Sequence, residues 1–290
     1  MSCRGCADGA GLGFDLSMAF QPIVDTRAQQ IYSHEALVRG VNNEPASAIF
    51  FAQVGDHNRY RFDQTCRVTA IRLAAELGGI STALNVNFMP NAVYRPELCI
   101  RTTLEAADRY DFPLDRIIFE FTEDERIPDF EHLQSIVTDY ARRGFTVAID
   151  DFGAGYAGLN LLADLQPDLV KIDMGLVRDI DQDRVRRAIC RGIAQVCEDL
   201  GIGLIAEGIE RRDEMRCLQD IGVHLFQATT SPSLRSRVSP RSIPSSTSRR
   251  TVARPSRPDR HFAAKKVRVN SCISPISASC RTPGRRCRHD

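Results

Sequence analysis

The chain has 290 residues, with 38 Lys+Arg against 37 Asp+Glu, and this near balance hides two unlike parts. Residues 228–290 hold 15 basic and 2 acidic side chains, leaving 23 basic and 35 acidic ones in residues 1–227, so an acidic body of about −12 precedes a basic stretch of about +13. The acidic body argues against a nucleic-acid binder and suits a cation site; no apolar run approaches the roughly 20 residues that span a bilayer.

The N-terminus, residues 1–16, has no basic region leading into an apolar one and reads as an extension rather than a signal peptide. The body is therefore expected to be cytoplasmic, with no membrane contact. In a reducing compartment most of the ten cysteines are expected to be core residues. Cys3 and Cys6 form a C-x-x-C with no second pair nearby to complete a zinc site. The glycines of GAGLG at 9–13 lack the Lys-Ser/Thr of a phosphate loop and read as linker.

From there, apolar runs rich in β-formers alternate with amphipathic stretches. A strand is expected at Ala19–Val24 and a long helix around Asp63–Leu77. Six further strands are expected at Ala83–Phe88, Arg116–Phe121, Phe145–Ile149, Leu169–Ile172, Ile202–Ala206 and Val223–Phe226. Phe130, Leu133, Ile136, Val137 and Tyr140 recur at helical spacing and stop at Gly144. A second helix carrying Val185, Ala188, Ile189, Ile193, Val196 and Leu200 stops at Gly201. Alternation of this kind predicts an α/β fold with a largely parallel sheet, best closed as a (β/α)8 TIM-type barrel, although an open doubly wound sheet has the same pattern.

Each of the six later strands ends in a polar residue. Asn87 ends the first, Glu120 and Glu123 the second, Asp150 and Asp151 the third, Lys171 and Asp173 the fourth, Glu207 the fifth and Gln227 the sixth. In a parallel barrel those ends converge on one face. Carboxylates gathered there repel one another unless cations sit among them, and hard oxygen ligands in that number favour Mg2+ or Mn2+ over zinc. Lys171 is the only lysine in residues 1–227. An ammonium offers three rotatable donors where a guanidinium is planar, so Lys171 is expected to hold an attacking water and balance carboxylate charge, with Asp173 paired to it.

These residues resemble a known family. EALVRG at 35–40, with AFQPIV at 19–24, NFMP at 87–90, FEFTE at 119–123, DDFGAGY at 150–156, LVKID at 169–173 and AEGIE at 206–210, resembles the EAL domains in order and spacing across residues 17–227. The pattern looks closest to EAL domains joined to blue-light-sensing modules. The resemblance implies a barrel whose first strand runs antiparallel to the rest, and a homodimer. It implies hydrolysis of cyclic di-GMP to linear pGpG by two divalent cations held by Glu35, Asn87, Glu120, Asp150 and Asp151. In that reading Lys171, Glu207, Gln227 and Glu123 form the catalytic machinery, Glu207 and Gln227 ordering ligands or waters and Glu123 orienting the next loop. Gln21, Leu37, Arg39 and Asp173 bind substrate, Arg39 gripping a phosphate bidentately. His34 points away from Glu35 by strand alternation and is structural. The competing readings are a degenerate EAL domain that binds the dinucleotide or a protein without turnover, and another metal-dependent barrel of the enolase kind.

Two departures from the family pattern stand out. Ala157 and Gly158 replace a serine pair after DDFGAGY, and similarity stops after Gln227. The family continues with a stretch like Gly-Tyr-Tyr-Phe-Ala-Lys-Pro-Phe-Ala. In GC-rich codons, loss of one G turns this into Gln-Ala-Thr-Thr-Ser-Pro-Ser, which is residues 227–233 as they stand. Residues 228–290, rich in Arg, Ser and Pro, are therefore expected to be a disordered frameshift product replacing the barrel's last helix.

Overall fold

The computed structural model describes residues 12–77, 82–123, 129–155 and 158–228. Cys3, Cys6, residue 157 and all but the first residue of the basic stretch lie outside the described residues. In chain order the elements are β1 (Leu16–Asp25), β2 (Gln30–Gly40), α1 (Ala46–Gln53), α2 (Arg59–Glu76), β3 (Ala83–Asn87), α3 (Pro96–Cys99), α4 (Arg101–Arg109), β4 (Ile117–Thr122) and α5 (Phe130–Arg142). They continue with β5 (Thr146–Phe152), α6 (Gly158–Leu165), β6 (Leu169–Ile172), α7 (Met174–Val177), α8 (Arg184–Leu200), β7 (Gly203–Ile209), α9 (Arg212–Asp220) and β8 (Leu225–Ala228).

The strands close into a barrel in sequence order, β1 to β8. β1 runs antiparallel to both neighbours, β2 and β8, while the pairs from β2 to β8 are parallel. The barrel and its reversed first strand are thus as expected. Each of the seven expected strands falls on an observed one, with ends differing by no more than three residues. β2 was not among them, although it carries the EAL motif.

Alternation along the strands sorts side chains into two compartments. Outward-facing Val86, Phe119, Phe121, Val147, Ile149 and Val170 pack under the helices in the main core. Inside the barrel, Ile23, Ala83, Ile118, Ala148, Leu169 and Ile205 form a separate apolar cluster with Leu225 against it. Ile118, Ala148, Leu169, Ile205 and Leu225 each sit two positions before Glu120, Asp150, Lys171, Glu207 and Gln227. The cluster is therefore a dry floor one layer beneath the polar strand ends, as in barrels whose interior is packed rather than open.

Local signals place the helices around this frame. Asp129 caps α5 by accepting from His132 N at 2.9 Å, and Asp183 caps α8 by accepting from Val185 N at 2.8 Å. Gly201 closes α8 at φ +68°, a left-handed conformation that favours glycine. Of the described cysteines, Cys99, Cys190, Cys197 and Cys217 are buried core residues, as expected. No described helix is long and apolar enough to cross a membrane.

Truncating the floor should cost folding energy directly. Ile118→Ala is expected to lower stability by about 2–5 kcal/mol, against less than about 0.5 kcal/mol for Leu159→Ala at an exposed position of α6. Urea denaturation of the two variants checks the contrast.

Candidate active site

The centre of the site is the Lys171 ammonium, fully buried at the end of β6. Its Nζ lies 2.6 Å from Glu207 Oε1, 3.0 Å from Asp150 Oδ1, and 3.2 Å from both Glu35 Oε2 and Glu120 Oε2. Four strands thus deliver four carboxylates to one cation. Amides fix those carboxylates from the sides. Asn87 Nδ2 donates to Glu35 Oε1 at 2.9 Å, Gln227 Nε2 donates to Glu35 Oε2 at 2.7 Å, and Asn85 Nδ2 donates to Glu120 Oε1.

Asp150 and Asp151 are adjacent, so a regular strand would send them to opposite faces. The register of β5 against β6 slips between Ile149 and Phe152, and Asp151 adopts φ +52°. Aspartate tolerates this left-handed conformation better than most residues. The bulge aims both carboxylates at the site, a use to which bulges beside active sites are often put. Glu123 touches the same loop, accepting from Gly153 N at 2.8 Å.

One lysine does not neutralise this charge. Burial drives the Glu120 carboxyl well above its ordinary value, and repulsion from Glu35 and Asp150 adds to it against the pull of Lys171. Asp150 is raised by burial too, with Lys171 opposing and Glu35 adding. Burial and the Asp150 charge push Glu207 up to about 8. Glu35 differs: burial raises it, but Lys171 and the amides of Gln227 and Asn87 outweigh that and hold it below the ordinary range. Burial acts against the Lys171 charge, yet its carboxylates raise it well above a normal lysine.

This donor set fits divalent cations. Glu35, Glu120 and Asp150 can bring carboxylate oxygens within 4.8 Å of one another, as can Asp150, Asp151 and Glu207. The two triads share Asp150, giving two adjoining all-oxygen positions of the kind hard cations take. The uncompensated negative charge supplies the attraction.

The expected substrate residues are partly gathered here. Gln21 faces Glu35 across the β1–β2 pair and donates Nε2 to Ala228 O at 2.8 Å. Leu37, two residues beyond Glu35, lines a largely apolar cavity of about 260 Å³ with Asn87, Met89 and Thr122. Arg39 is half-buried two residues further on and donates Nη1 to Val38 O at 2.8 Å. Asp173 is a correction. Instead of pairing with Lys171 it caps α7, its Oδ1 accepting from Gly175 N at 2.8 Å. β6 ends at Ile172, so Asp173 already belongs to the turn into the helix and its carboxylate satisfies that helix's free N–H. His34 turns outward as expected, with Nδ1 2.9 Å from Thr82 Oγ1. Asn85 was missed, yet the N-x-N spacing on a strand places its amide on the same inward face as Asn87.

The fold and this acidic mouth define a (β/α)8-type barrel with a carboxylate and amide ring around a single lysine. The chain belongs to the EAL domain family, whose model matches residues 13–227. That family includes cyclic di-GMP phosphodiesterases, and members of it have been solved with cyclic di-GMP bound. The chain is 32% identical over 209 residues to the blue light- and temperature-regulated antirepressor BluF of Escherichia coli K12, covering 72% of this chain and 52% of BluF. It is 27% identical over 219 residues to the probable cyclic di-GMP phosphodiesterase PdeD of the same organism, covering 71% of this chain and 39% of PdeD. The chain thus spans about half or less of these relatives. Among solved structures, a standalone EAL protein from Vibrio cholerae O395 bound to c-di-GMP shows 54% identity and a TM-score of 0.72, covering 74% of this chain and 90% of that one. BlrP1 of Klebsiella pneumoniae, in a manganese and c-di-GMP complex, shows 34% identity and a TM-score of 0.70 over 74% of this chain and 55% of BlrP1.

A carboxyl raised on folding favours the native state below its ordinary value and loses that contribution as pH climbs through its folded value. For Glu207 the window runs from 4.5 to about 8. Protein stripped of cations should therefore lose stability across that window, and Glu207→Gln should flatten the slope. Urea denaturation in chelator at several pH values measures both.

Proposed function

We propose that this chain is a metal-dependent phosphodiesterase that opens cyclic di-GMP to linear 5′-pGpG. The observation that carries this reading is the convergence of two overlapping carboxylate triads on Lys171, with every ligand type that the family resemblance implies still in place. Glu35, Asn87, Glu120, Asp150 and Asp151 would hold two cations, Mg2+ or Mn2+. The Asn87 amide nitrogen is committed to Glu35, which leaves its carbonyl oxygen as the ligand atom. When bound, such cations polarise a phosphate and lower the pKa of a nearby water.

The protein's own groups supply the rest. Lys171 keeps a permanent positive charge beside Glu207, and together they orient the attacking water. Gln227 and Asn87 fix Glu35; Glu123 fixes the loop that follows Asp151. Arg39 grips a phosphate, while Gln21 and Leu37 contact the guanine part of the substrate. Water oxygen adds to phosphorus, the P–O3′ bond breaks, and the 3′ oxygen takes up a proton. A member that binds without turnover would bind cyclic di-GMP and release no pGpG.

We also propose that the chain works as a homodimer through α8. That helix leaves Val185, Ile189, Val196 and Leu200 exposed along one stripe. The stripe is symmetric about a point between positions 192 and 193, and an added Cβ at Gly192 would meet nothing within 4 Å. Arg184, Arg186, Arg187 and Arg191 occupy the first half of the helix, and Glu198 and Asp199 the second. An antiparallel α8 of a second copy would set Val185 against Leu200 and Ile189 against Val196, with arginines facing acids. This is the self-complementary pattern that a two-fold interface requires.

Incubation with cyclic di-GMP and Mn2+ should yield pGpG, and Glu35→Ala or Asp151→Asn should abolish turnover with the fold intact. Substrate bound but uncleaved by the unaltered chain would instead support the binding-only reading. Ile189→Glu should convert the dimer to a monomer in light scattering, whereas Leu159→Glu, at an exposed position of α6, should not.

A further inference from the structure

Behind the mouth, on the outer side of the sheet, lies a second charged pair that the catalytic reading does not use. Asp63 and Arg67 stand one turn apart on α2, both buried, with Arg67 Nη2 2.7 Å from Asp63 Oδ2. A buried ion pair carries a desolvation cost of several kcal/mol, and a well-packed apolar pair often does as well or better. Packing alone therefore does not explain these two residues.

Their remaining contacts do. Asp63 Oδ1 accepts from Met89 N at 2.9 Å, just where the chain leaves β3. One residue earlier, Phe88 N donates to Glu120 O at 2.8 Å, so this turn is tied to both α2 and β4. The Arg67 guanidinium lies 5.3 Å from the ring centroids of both Phe88 and Phe119 and donates Nη1 to Tyr140 OH at 2.9 Å. Phe88 follows Asn87, and Phe119 precedes Glu120. The pair thus grips, from the helix side, the two strand ends whose inner faces carry Asn87 and Glu120.

We propose that Asp63 and Arg67 are positioning residues for the cation site: Asp63 pins the Met89 N–H, Arg67 braces Phe88 and Phe119, and together they set Asn87 and Glu120. An apolar residue at 63 could fill the space but could not accept the Met89 proton. The geometric part stands on the contacts above. Its effect on cation affinity rests on the metal-dependent reading.

Two charge-neutral double variants separate this role from bulk stability. Asp63→Asn with Arg67→Gln keeps an acceptor for Met89 N–H; Asp63→Leu with Arg67→Met fills the space without one. Near-UV circular dichroism verifies folding, nitrogen-15 NMR reads the Asn87 side-chain amide in chelator, and calorimetry reads Mn2+ affinity. The first variant should keep the Asn87 amide signals and Mn2+ affinity of the unaltered chain. The second should lose the distinct Asn87 signals and bind Mn2+ at least about tenfold more weakly, the usual scale for losing a group that orients a ligand. Should the second variant not fold, Asp63→Ala with Arg67→Gln makes the same comparison. Unchanged Asn87 signals without the acceptor would overturn the proposal, as would equal losses in both variants, since charge and not the Met89 bond would then matter. If the unaltered chain binds no Mn2+ while the Asn87 signals still divide the variants as expected, the positioning role stands and the metal-dependent reading falls.

Discussion

The structure turns on an ammonium group placed where water cannot reach it. Lys171 is surrounded by four carboxylates from β2, β4, β5 and β7. Removing a cation from water is costly, and here mutual attraction with Glu35, Glu120, Asp150 and Glu207 offsets it only because the strand ends hold those groups within reach. The exchange works in both directions. Without Lys171 the carboxylates would face one another unscreened, and the strand ends would repel one another.

The floor makes this arrangement possible. Ile118, Ala148, Leu169 and Ile205 form a layer with no polar atom on their side chains, so the charges above them are solvated only from the mouth. A low-dielectric base strengthens every interaction over it, which is why the same burial raises Glu120 while the ring of donors lowers Glu35. Position within one site, rather than residue type, decides the behaviour of each carboxyl.

Much of this was legible in the sequence because barrel strands end at one face, and a polar residue closing each apolar run marks that face. Glu120, Lys171, Glu207 and Gln227 were readable on those grounds alone. β2 was harder, since QIYSHEALVRG mixes polar and apolar residues without a clean period. Its role came from resemblance to known EAL domains. Asp150 and Asp151 were both read as ending one strand, but the bulge that turns the second of them inward is a backbone event with no local signature. Asp173 misled for the opposite reason: it sits one residue past a very short strand, and helix capping there outcompetes the pull of Lys171. The outer support from α2 was invisible, since Asp63 and Arg67 meet Met89 and Phe119 only once the barrel has closed.

The apolar floor has one more consequence. It fills the barrel interior beneath the strand ends with apolar side chains, so the polar groups above it face the mouth. Under the hydrolysis proposed above, a linear product would still carry both guanines and two phosphates, and so most of the features by which the ring would be held. Such a product would compete with the next substrate for the mouth itself, and turnover would be a matter of traffic as much as of bond breaking.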